Sequence, residues 1–114
     1  MPPLRKDPGE LALYQDILKE WRATGFIQWT QRAAEWLRDN LVDRNQRSIG
    51  KLMYEHRDEV DQTRETRAEY CHLFSYHYDF RIPIDGQRIY IETVLVRGIR
   101  ESDSVIRVVN IKPA

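Results

Sequence analysis

A chain of 114 residues is the size of a single domain, and 41% apolar with 32% charged residues marks it as globular rather than disordered. Eighteen Lys and Arg balance eighteen Asp and Glu, so the formal net charge of zero lacks the basic footprint usual in nucleic-acid binders, though a local basic face can coexist with it. One cysteine, Cys71, excludes an internal disulfide; with no apolar run near the ~18 residues of a membrane span and no apolar h-region in residues 1–8, a cytoplasmic protein with no membrane partner is expected.

Residues 1–6 read as a flexible tail. Asp7-Pro8-Gly9-Glu10 is a helix start, with an acidic N-cap, Pro at the first helical position and Glu at the third. Leu11, Tyr14, Ile17, Leu18 and Trp21 follow at helical spacing, and Gly25 is the expected stop. Thr30 can cap a second helix that buries Ala33, Trp36, Leu37 and Leu41. Asp43 or Asn45 can cap a third, with Ile49, Leu52, Met53 and His56 on one side. The stretch from Glu55 to Glu69 is almost wholly polar and reads as a loop with room for an edge strand over 60–64.

The period then changes from 3.6 to 2. Phe74, Tyr76, Tyr78, Phe80, Ile82 and Ile84 alternate with Ser75, His77, Asp79, Arg81 and Pro83, as in a half-buried strand. Asp85-Gly86 is a hairpin signal, and a two-residue turn there pairs Ile82 with Ile89 and Arg81 with Tyr90. A last strand is expected to put Val105, Val109 and Ile111 on the core side, interrupted by Arg107, and Ile106, Val108, Asn110 and Lys112 on the other. The expected fold is therefore α+β: three N-terminal helices packed on one face of a C-terminal antiparallel sheet of three to four strands. It forms one domain over 1–114, with a helical half over 7–57 and a sheet half over 60–112.

The polar sheet face carries His77, Asp79, Arg81, Arg88, Tyr90, Glu92, Asn110 and Lys112. RNA cleavage without a metal needs a base for the 2′-hydroxyl, an acid for the 5′-oxygen and cations on the phosphate, and His, Tyr, Lys and Arg can fill those roles. A solvated sheet face can carry the same residues with no chemistry at all. His77 faces Val94 and lies ~13 Å along the sheet from Tyr90 at ~3.3 Å per residue. Asp79 faces Glu92, and two opposed carboxylates need a bridging cation, for which Arg81 and Lys112 are at hand. Cys71-His72 with His56 and His77 matches no zinc spacing, and no phosphate loop or serine elbow is present, so neither a metal nor another cofactor is expected. Trp21, Trp29 and Trp36 read as core or helix contacts.

Three segments carry a family resemblance: Ile17-Leu18-Lys19-Glu20-Trp21 through Gly25 and Thr30, then Gly86-Gln87-Arg88-Ile89-Tyr90, then Val108-Val109-Asn110-Ile111-Lys112. Their order along the chain resembles the MqsR-type members of the RelE-like toxin superfamily. Such proteins cleave messenger RNA and are silenced by a cognate antitoxin protein. The resemblance implies a metal-independent endoribonuclease in which His77, Tyr90 and Lys112 line the catalytic site. An upstream basic residue of the family falls near Arg64 or Arg67; with Arg81 and Arg88 these are the expected phosphate ligands. The expected substrate is single-stranded RNA, with no DNA. The rival expectation is a non-catalytic protein-interaction module on the same fold.

Overall fold

The computed structural model describes residues 6–114, so the tail expected over 1–6 lies, except for Lys6, outside the described residues. The Asp7 carboxylate accepts from the Glu10 amide at 3.0 Å and starts α1 (Pro8–Leu18). This helix ends at Leu18, a turn earlier than the apolar stripe suggested, and turns carry the chain to Gly25, whose φ of +96° suits glycine. A short strand, β1 (Ile27–Trp29), follows. The Thr30 hydroxyl then caps α2 (Gln31–Asn40), and a capping box between Asn45 and Ser48 starts α3 (Gln46–Glu55).

The other strands are β2 (Asp61–Arg64), β3 (Tyr76–Ile84), β4 (Gln87–Val96) and β5 (Val105–Pro113). They form one five-stranded sheet in the order β1-β5-β4-β3-β2. The sheet is mixed rather than antiparallel, because β1 lies parallel to β5, with Ile27 beside Ile106 and Trp29 beside Val108. The expectation of three to four antiparallel strands is corrected on that edge, and the helical half contains a strand. Four residues between a left-handed glycine and a helix cap are too few to show a period, and what makes three of them a strand is their long-range partner.

The β3–β4 hairpin follows the expected register, with Arg81 opposite Tyr90 and Ile82 opposite Ile89 across a turn in which Asp85 and Gly86 both have positive φ. The phase of β5 differs from expectation. Glu92 pairs with Asn110 while Thr93 pairs with Val108, so Val109 is an extra residue on β5, a β-bulge. Ile106 and Val108 therefore face the core, Val105 and Arg107 do not, and beyond the bulge Ile111 points inward again. Arg107 interrupts nothing: it lies on the outer face, opposite Val94.

Helices cover one sheet face. Leu11, Tyr14, Ile17, Leu18, Ala33, Leu37, Leu41, Ile49 and Met53 pack on Tyr78, Phe80, Ile82, Ile89, Ile91 and Ile106. Inside this layer the Tyr14 ring stacks on Tyr78 at 4.1 Å, and the Tyr14 hydroxyl lies 2.6 Å from Thr93 Oγ1. Thr93 in turn donates to the Tyr78 carbonyl at 2.8 Å, and Tyr78 Oη donates to Glu10 while accepting from Gln62. Each buried hydroxyl thus has a partner, which ties α1 to β2, β3 and β4. Among the described residues no helix is long and apolar enough to cross a membrane.

Candidate functional site

The face away from the helices is ordered in ranks by the register. In one rank Arg81, Tyr90 and Lys112 stand opposite one another on β3, β4 and β5. The next rank runs Asp61, Asp79, Glu92 and Asn110 across β2 to β5. Beyond it Thr63 stands opposite His77. Side chains so opposed are close enough to interact directly.

In the first rank the Arg81 guanidinium lies 5.2 Å from the centre of the Tyr90 ring and the Lys112 ammonium 5.5 Å from it, so the phenol stands between two cations. These residues, with Arg67, Glu92, Asn110 and the C-terminal Pro113 and Ala114, line an open cleft of about 520 Å3. Burial, followed by the charges of Asp79 and Glu92, holds the Tyr90 phenol well above its ordinary pKa. At neutral pH Tyr90 is therefore a proton donor, and its hydroxyl lies 3.4 Å from Glu92 Oε1.

The second rank concentrates acids in a nearly dry place, with the side chains of Asp79 and Glu92 each 6% exposed. The cations that stabilise them are not the expected Arg81 or Lys112. Arg67, from the segment that follows β2, donates to Glu92 and makes a two-pronged pair with Glu65 at 2.8 and 2.9 Å. Glu65 is only 1% exposed, and the Arg67 guanidinium lowers its carboxyl to about 2. On the other side His77 Nδ1 lies 2.8 Å from Asp79 Oδ1, and this hydrogen bond raises the His77 pKa above its ordinary value. Arg81 instead reaches Asp61 at 3.1 Å across exposed surface, a weak, solvent-screened pair.

Tyr90 and Lys112 are thus brought together with Arg81. His77 is on the same face but two ranks away, bonded to Asp79. Arg67 lines the cleft, although its guanidinium is committed to Glu65 and Glu92. Arg88 stands two residues from Tyr90 toward the hairpin and lines a neighbouring hollow with Arg81 and Pro83. Arg64 does not belong to this face: it pairs with Tyr76, and its guanidinium sits 5.9 Å over that buried ring on the helix side. The structure thus places Arg64, two residues on from the inward Gln62, on the other side of the sheet from Tyr90.

Glu65, which holds Arg67 at the cleft, is the residue that pattern reading overlooked. Glu65 sits in a run of exposed polar residues with no periodicity, so nothing in the sequence marks it as buried. Phe74, expected on the core face, lies instead on the polar side with Tyr70, Val94, Val109 and Asn110, because it precedes the first paired residue of β3. Among the described residues no group of three or more His, Cys, Asp or Glu side chains could hold a metal ion. Compared with known proteins, the chain matches no family model, no curated protein and no solved structure.

Proposed function

We propose that the protein is an endoribonuclease toxin that cleaves single-stranded messenger RNA without a metal and is restrained by a cognate antitoxin protein. The observation that carries this reading is the rank Arg81–Tyr90–Lys112: a phenol kept protonated, flanked by two cations, on the floor of an open cleft. A phosphodiester lying across this rank has its non-bridging oxygens between Arg81 and Lys112 and its 5′-oxygen at the Tyr90 hydroxyl. The substrate's 2′-oxygen attacks phosphorus and the P–O5′ bond breaks, leaving a 2′,3′-cyclic phosphate and a 5′-hydroxyl. Tyr90 supplies the proton to the departing oxygen. The Asp79–Glu92 pair accepts the 2′-hydroxyl proton and returns one to Tyr90 across the 3.4 Å contact with Glu92. His77 acts in this reading as a positioning residue, holding Asp79 in place.

The test is incubation of the purified protein with single-stranded RNA in the presence of a chelator, followed by end-group analysis. Fragments ending in cyclic phosphate, formed far more slowly by Lys112→Ala and Arg81→Ala, support the reading, and RNA left intact removes it. One observation favours a second reading, a non-catalytic module that docks a protein on the same face. Arg67, an expected phosphate ligand, is already neutralised by two carboxylates. Intact RNA together with a complex that Arg81→Glu disrupts would favour that alternative.

A further inference from the structure

Beside the Tyr90 cleft lies a second hollow of about 150 Å3. Both share Arg67, Glu92 and Asn110 in their walls. Its other walls are Phe74 and Tyr70, its floor is Val94 and Val109, and Arg32 at the start of α2 stands at its rim. We infer that this hollow is a subsite for the base of a nucleotide next to the scissile phosphate, an inference that rests on the ribonuclease reading.

The placement of Phe74 and Tyr70 supports it. Sequence alternation would put Phe74 in the core, yet it stands on the polar face, and Tyr70 is 37% exposed beside it. The turn that carries them is held by backbone bonds from Cys71 and Phe74 to Arg67 and Tyr70, each 2.9 Å, and by the Arg67 ion pairs. The Arg67 guanidinium lies 4.8 Å over the Tyr70 ring, so Phe74 supplies the aromatic face, on a pinned segment over an apolar floor, on which a planar base can stack. Asn110 and Arg32 supply polarity at the edge. Among the described residues neither side chain has a hydrogen-bond or ion-pair partner, so the Asn110 amide can both donate to and accept from a base edge, and Arg32 can donate. The hollow is smaller than the ~300–1,000 Å3 of pockets that enclose a whole drug-sized ligand. It suits one ring system, with the sugar and phosphate lying in the wider cleft beside it.

The four nucleoside 3′-monophosphates are titrated against the full chain by amide-detected NMR, with ribose 5-phosphate and inorganic phosphate as probes of the phosphate rank alone. The expected result is nucleotide binding tighter than ribose 5-phosphate by about tenfold or more, with shifts at Phe74 and Asn110. Phe74→Leu, which keeps apolar bulk and removes the stacking face, should abolish that gain, and Asn110→Ala should narrow the spread among the four bases. Inorganic phosphate should bind the Phe74→Leu variant as it binds the parent. Nucleotides that bind no tighter than ribose 5-phosphate, or a gain that survives Phe74→Leu, overturn the base subsite. RNA cleavage without the nucleotide gain removes the subsite alone. A nucleotide gain without cleavage removes the catalytic reading and leaves base binding established.

Discussion

Arg67 donates to Glu92 from a segment 25 residues away, and this bond crosses the polar face of the sheet to join the turn after β2 to the centre of β4. The same guanidinium holds Glu65, so two carboxylates with almost no solvent depend on one cation.

Arg67→Ala should therefore destabilise the fold by about 2–4 kcal/mol, somewhat below the full cost of breaking a buried pair because Arg67 is itself 40% exposed. Chemical denaturation measures this. The double variant Arg67→Ala/Glu92→Gln should recover part of the loss, since one of the two unpaired charges is then gone. A loss unchanged by Glu92→Gln would mean that the Glu92 bond contributes nothing.

Stability should also depend on pH from both sides. Glu65 is lowered in the folded state, so its contribution is complete above the ordinary carboxyl value of 4.5 and is lost as pH falls toward about 2. That contribution is on the order of 3 kcal/mol at one unit per ~1.4 kcal/mol. His77 is raised by Asp79, so its contribution is complete below 6.5 and is lost as pH climbs through the higher folded value. Denaturation midpoints across pH should peak between these limits. His77→Asn should flatten the alkaline limb and Glu65→Gln the acidic one.

In the core, Thr93 accepts from Tyr14 and donates to the Tyr78 carbonyl. Thr93→Val leaves the buried Tyr14 hydroxyl without its partner and takes one bond from the Tyr78 carbonyl, and should cost roughly 2–3 kcal/mol, whereas Tyr14→Phe leaves only one lone pair unfilled and should cost about 1 kcal/mol. Thermal or chemical unfolding of the two variants orders them. The reverse order would mean that Thr93 is not the hub of this network.

The β3–β4 hairpin was legible in the sequence because three local signals agree there: strict alternation, the Asp85-Gly86 turn, and apolar faces that coincide in one register. The helix caps at Asp7 and Thr30 were legible for the same reason, since each cap is a bond between residues three apart, and the third, at Asn45, was narrowed to Asp43 or Asn45. What escaped depends on distant parts of the chain. The strand at Ile27–Trp29 exists because β5 pairs with it, and the phase of β5 turns on one extra residue, Val109, which no period can mark. The cleft was half legible. Alternation put Arg81, Tyr90 and Lys112 on one face, but the bond from Arg67 to Glu92 and the burial of Glu65 arise only when the turn after β2 folds over the sheet. The polar run gave no parity with which to tell the side of Arg64 from that of Arg67.

The most direct measurement is the single-turnover rate of RNA cleavage by the parent protein and by Tyr90→Phe, with denaturation midpoints showing both folded. Loss of the phenolic proton assigned to the leaving 5′-oxygen should slow cleavage by roughly 10²–10⁴-fold. A Tyr90→Phe rate within about twofold of the parent would contradict the assignment of proton transfer to Tyr90.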